Sequence, residues 1–209
     1  MAKALQRRAE PMLSRSPNPL SDLRAALRRL AAQTHGGSAV EFAIILPFML
    51  LVFLGTYDLC NGIAADRKVT ITARTLSDLI AQATQVKTSD VTNSFTAASY
   101  VMMPFSGAPV QTVSEVKIDA TTTPTKATIQ WSRSTNGTGR PTNQSVTVPS
   151  GLVVSGQVTY LIWSEVSYTY QPFVSYVFKS AFSLSDQFYA RPRQSACVVI
   201  DPTSPSQGC

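Results

Sequence analysis

Histidine occurs once in these 209 residues, at position 35, and cysteine three times, at positions 60, 197 and 209. A Ser/His/Asp or Cys/His site needs an imidazole base beside its nucleophile, so a lone histidine near the N-terminus leaves the rest of the chain without one. Metal chemistry lacks its usual ligands as well, since there is no CxxC pair and no histidine cluster. No glycine-rich loop has the spacing that cradles phosphate, and no period of about 20–50 residues marks a repeat. Charged residues are only 14% of the chain, and acids are the scarcer sign, 12 against 18 bases. Glu115, Asp119, Glu165 and Asp186 show no spacing that would pair them for acid–base work, which makes ordinary surface charges the simpler reading. No cofactor is implied.

What the chain does have is a long apolar run. Phe42 to Leu59 contains no Lys or Arg and one acid, Asp58, near its end. Extended through Cys60, Ile63 and Ala64, it reaches the roughly 20 residues that cross a hydrocarbon core of about 30 Å at 1.5 Å per residue. A buried core helix is the alternative. Pro47 falls inside the run, where a lipid-embedded helix tolerates the missing amide and a soluble one would break, and a kink is expected there. Residues 1–36 carry Lys3, Arg7, Arg8, Arg15, Arg24, Arg28 and Arg29 against only Glu10 and Asp22. The positive-inside rule therefore puts the N-terminus in the cytoplasm and the C-terminal part across the membrane. A cleaved secretory signal is the competing reading, but it calls for a shorter apolar stretch and a small-residue cleavage site, which Thr56-Tyr57-Asp58 does not supply. The basic residues are scattered, so attraction to anionic lipid accounts for them, and no nucleic-acid partner is expected.

Beyond the run, Val69, Ala73, Leu76, Ile80 and Ala83 recur at helical spacing, which predicts that the anchor helix continues. A second amphipathic stretch is expected from Val91 to Met103, ending before Pro104. Then β-branched and aromatic residues dominate 113–119, 126–133, 144–148, 157–170 and 187–200, with Asn136-Gly137 as a turn signal. The reading is α+β: one N-terminal transmembrane helix extending into a periplasmic domain with an antiparallel sheet of about five strands. Its segments are a basic cytoplasmic leader (1–36), the transmembrane helix (37–64), a helical extension and second helix (65–104) and a β-rich extracytoplasmic domain (105–209). Roughly 145 residues follow the span, enough to bury a core of their own. Tyr160, Trp163, Tyr168, Tyr170, Phe173, Tyr176 and Phe178 are expected to pack in the core and on the sheet faces.

Glu41 stands immediately before the apolar run, in the string His35-Gly36-Gly37-Ser38-Ala39-Val40-Glu41-Phe42. A carboxylate at that depth is costly unless it snorkels or meets a cation, although the positive end of a helix dipole favours it. A glycine, four small or apolar residues, Glu-Phe and then an apolar helix with a proline resembles the processing site of type IV prepilin-like proteins. The segment Ala39-Val40-Glu41-Phe42-Ala43, followed by Leu46-Pro47, is especially similar to the TadE/TadG-like pseudopilins of the tight-adherence (Flp) pilus system, over roughly residues 36–82. The resemblance implies a single-pass protein of the bacterial inner membrane, a non-catalytic component of Flp/type IVb pilus assembly with a pilin-like arrangement. Its implied partners are a prepilin peptidase, other Tad/Flp pilus proteins and pseudopilins, and the lipid bilayer. It implies cleavage after Gly36, which makes Gly37 the new N-terminus and Glu41 the fifth mature residue, and it assigns Glu41, Phe42 and Pro47 to assembly. There Glu41 would meet the freed amine of a neighbouring subunit. Glycine at 36 and 37 suits a protease cleft, because a backbone without Cβ can stay extended. Many pilins begin their mature chain with phenylalanine, which Gly37 is not.

Cys197 and Cys209 bracket CVVIDPTSPSQGC and outside the cytoplasm can close a short disulfide loop worth about 3 kcal/mol; two unpaired thiols are the alternative. A single-span anchored binding or adhesion domain, its leader never cut, remains the other functional reading.

Overall fold

A computed structural model describes residues 28–29, 36–137, 139–172 and 181–201. The chain divides into two compact units, residues 1–51 and 52–209. Helix α1 (Gly37–Ala81) runs through the boundary and through Pro47. In the first unit its side chains are apolar and exposed on every side, Phe42, Ile44, Phe48 and Met49 among them. A helix apolar all round is a helix for lipid or for a large core. Among the described residues α1 is the one helix long and apolar enough to cross a membrane, which fits a single-pass membrane protein.

The second unit is built on the other half of α1. Ala65, Val69, Ala73, Leu76 and Ile80 recur every three to four residues and are all buried, while Ala83, just past the helix, is half-buried. This stripe lies on an antiparallel sheet of four strands in the order β3-β2-β4-β5, formed by β2 (Val110–Asp119), β3 (Lys126–Ser134), β4 (Val158–Tyr170) and β5 (Phe182–Ala190). Alternation of side chains along a strand decides what each face meets. Val113, Ile162, Val166, Tyr168 and Tyr170 point to α1, and small residues on the helix let the sheet come close enough for Ser164 Oγ to donate to the Ala73 carbonyl at 2.7 Å. Val116, Ile118, Ile129, Leu161 and Trp163 form a separate cluster on the opposite face, covered by Val146, Val148, Leu152 and Val153 from the β3–β4 connection.

Helix α2 (Thr88–Tyr100) also packs on the α1 side through Val91, Phe95 and Ala98. Its C-terminal end is fastened by Lys68, whose Nζ donates to the carbonyls of Val101 (2.9 Å) and Met103 (2.6 Å). Two short strands, β1 (Gln85–Val86) and β6 (Val199–Ile200), pair in parallel. Asp201 follows at φ +43°, a conformation that Asp tolerates better than most residues. Its carboxylate accepts from the Thr88 amide (3.0 Å) and hydroxyl (2.6 Å), satisfying donors that open α2.

The architecture is thus α+β, a long apolar N-terminal helix followed by an antiparallel sheet domain. Two details depart from the strand pattern. Residues 144–148 form no strand of their own but run along β3, with Ile129 N donating to Gln144 O and Val146 N to Ala127 O, a single bridge joining Thr128 and Ser145. The stretch 187–200 is broken after Ala190, where Pro192 cannot donate to a ladder, so its two ends belong to different sheets. Phe173, Tyr176 and Phe178 lie outside the described residues.

Candidate processing and assembly segment

Gly36 occupies a turn and Gly37 is the first helical residue, so the helix begins earlier than the preference of glycine for extended backbone implies. Val40 N already donates to the Gly36 carbonyl at 3.1 Å. A Cβ built at either glycine would meet nothing within 4 Å, so both sides of the Gly36–Gly37 bond are open. One turn on, Glu41 is exposed, and among the described residues it has no ion-pair partner. Gly37 and Glu41 stand four apart, which places them on one helix face. Phe42 is 65% exposed, and Pro47 is exposed within the helix.

Of the carboxylates Glu115, Asp119, Glu165 and Asp186, each has its own hydrogen-bond partner, and Glu165 and Asp186 border one groove. Asp119, at the far end of β2, accepts from the Thr121 hydroxyl and amide, which hold its pKa below the usual carboxylate value. Asp186 accepts from the Thr70 hydroxyl at 2.5 Å. Glu165 receives both arms of the Arg140 guanidinium, at 2.9 and 2.7 Å, a geometry only arginine can offer. That hydrogen bond raises the Arg140 pKa further. The same guanidinium lies 4.3 Å from the Trp163 ring centroid, and Trp163 stacks on Tyr189 at 5.6 Å and 12°. The close approach depends on Gly139, where a Cβ would come within 2.6 Å of the Ser132 backbone. Arg140, Glu165 and Asp186 line a shallow groove of about 550 Å³ with Thr112, Val166 and Gln187.

Glu115 is the exception to surface charge. It is 3% exposed, on the α1 side of β2, and its Oε1 accepts from the Val198 amide at 2.6 Å. Burial pushes its pKa from 4.5 up to about 7, against the opposing effect of the Val198 amide and then the Trp131 indole. The signal that could have revealed it is its place in the alternating strand Val113–Glu115 opposite Trp131, but a partner more than eighty residues away has no local trace. Cys197 is buried and disulfide-bonded, Cys60 is exposed and free, and Cys209 lies outside the described residues.

Searches of curated proteins and of solved structures each find no match. Residues 36–76 match the family model of the TadE-like proteins, a window that opens on Gly36 and contains Glu41, Pro47 and the first half of the buried α1 stripe. Over that segment the chain is TadE-like, and the likeness supports a role related to the Tad pilus.

Proposed function

We propose that this chain is a TadE-like pseudopilin, a non-catalytic component of Flp/type IVb pilus assembly that a prepilin peptidase cuts after Gly36. The observation that carries the reading is the open Gly36–Gly37 bond one helical turn before an exposed Glu41, inside the segment that matches the family. The chain would sit in the bacterial inner membrane with its basic N-terminus cytoplasmic and residues beyond the span periplasmic, as the Lys and Arg bias directs. Cutting would first require the opening turn of α1 to unwind, which two glycines make cheap.

Cleavage gives Glu41 a partner. The freed Gly37 amine of a neighbouring subunit is a cation at the depth of this carboxylate, and in a poorly solvated setting each charge relieves the penalty on the other. Such a pair selects register more than it adds net stability. In the second unit the support is that Glu115, Asp119, Glu165 and Asp186 each serve a structural contact. Mass spectrometry of the mature N-terminus, on protein extracted from membranes of a host with its own prepilin peptidase, tests the proposal. A chain starting at Gly37 is expected; an intact leader would favour an anchored binding or adhesion domain.

A further inference from the structure

A run that enters hydrocarbon at Phe42 needs about 20 residues to cross it, so the far headgroup level falls near Asp58 to Gly62. In the second unit the sheet domain already covers one side of this stretch, at Asp58 and Gly62. Asp58 is 2% exposed, and the Tyr170 hydroxyl reaches its backbone carbonyl at 3.4 Å. At Gly62 a Cβ would stand 3.4 Å from the Phe182 ring, so that ring lies directly on the helix. Phe105, Tyr170 and Phe182 form a row of rings, with centroids 6.2 and 5.3 Å apart. Beside the row, a groove of about 250 Å³ opens between Leu59, Ile63, Phe182 and Leu184, with Asp58 and Asp66 also in its lining. Leu59 and Ile63 are 55% and 49% exposed, and Phe182 is 37% exposed.

Trp and Tyr rings are enriched at the headgroup level of a bilayer; here the ring exposed beside the apolar wall is Phe182, with Tyr170 buried behind it. Here the rings come from the sheet domain instead of from the span. We infer that the Phe105–Tyr170–Phe182 end of the sheet domain is seated in the membrane interface, with lipid filling the groove beside Leu59 and Ile63. The occupant follows from continuity, because the groove's helix wall is the end of the apolar run itself. This inference rests on α1 being a membrane span.

The full chain, reconstituted at low protein-to-lipid ratio in phosphatidylcholine vesicles, provides the test. Tryptophan is introduced singly as F182W, A181W, F53W and T122W, and quenching by lipids carrying a nitroxide at a shallow or a deep acyl position is measured against the wild-type emission of Trp131 and Trp163. F182W and A181W are expected to be blue-shifted and quenched by the shallow label, F53W by the deep label, and T122W, at the opposite end of the sheet, by neither. Quenched F53W with unquenched F182W and A181W would overturn the seat while leaving the span intact. Unquenched F53W would remove the span, and the seat with it. A blue shift at residue 182 that grows with protein-to-lipid ratio, without quenching, would assign the patch to a second copy of this chain and also overturn the inference.

Discussion

Glu115 Oε1 accepts the Val198 amide proton at 2.6 Å in the interior of the sheet domain, while the Trp131 indole donates to the Val198 carbonyl at 2.8 Å. Both backbone polar groups of one residue of the C-terminal segment are thereby held by two residues facing each other across β2 and β3.

The pH dependence follows from the Glu115 carboxyl. Its folded pKa, about 7, lies above the value of 4.5 for the free group. Below pH 4.5 both folded and unfolded chains hold the proton, and between 4.5 and 7 only the folded one does. Stability from this group is therefore full at low pH and is lost as pH rises through 7, by about 3 kcal/mol at about 1.4 kcal/mol per unit. In Glu115→Gln the amide oxygen can still accept from Val198 and nothing titrates. Thermal melts from pH 4 to 8.5 should show the wild type losing stability across that window relative to the variant; parallel curves would refute the assignment.

Arg140 combines a fork onto Glu165 with a stack on Trp163, and lysine can reproduce neither. Arg140→Lys should cost about 1–2 kcal/mol, more than an exposed ion pair, and shift the Trp163 emission. A double-mutant cycle with Glu165→Gln reads the pair directly, with about 1 kcal/mol of coupling expected. Coupling near zero would mean that the fork is only a surface contact.

Glu41 separates insertion from assembly. Glu41→Gln removes the charge and little volume, so membrane insertion should be unchanged while incorporation into pilus structures is lost. Normal piliation in a strain carrying only the variant would take Glu41 out of this role.

Cys197 and Cys209 are proposed to form one disulfide. Peptide mapping without reduction should recover the two cysteine peptides joined, with Cys60 open to alkylation. Serine at either position should lower stability by about 3 kcal/mol. Alkylation of Cys209 before any reductant is added would exclude the pairing.

The helix stripe was legible because burial on one side imposes a period, and Val69, Ala73, Leu76 and Ile80 display it without interruption. Strands β2, β3 and β4 were legible through Val, Ile, Thr and Tyr, whereas β5 (Phe182–Ala190) holds no Val, Ile or Thr and was read only from Gln187. Residues 144–148 carry the same composition and still form no strand, because their backbone lies along β3 for only a few bonds before Pro149. Composition records what suits a pleated surface, not whether a neighbour continues. Nor could periodicity disclose β1 and β6, two residues each, whose pairing is a property of chain ends meeting across the fold. In the processing segment, the residue types carried the resemblance and the geometry adds only where they stand: on an open turn and an open helix face.

The clasp formed by residues 193–201 dictates an order of events during synthesis. Arg193 N bonds to the Ala81 carbonyl, Val199 N to Thr84 and Asp201 N to Val86, while Val198 and Ile200 complete the packing around Leu76 and Ile80. A nascent chain that has produced α1, α2 and strands β1 to β5 still lacks that cover, which is encoded more than a hundred residues after the helix it closes. The unit must therefore wait, unfinished and prone to wrong partners, until residue 201 has emerged, and among the described residues this closure is the last to become available.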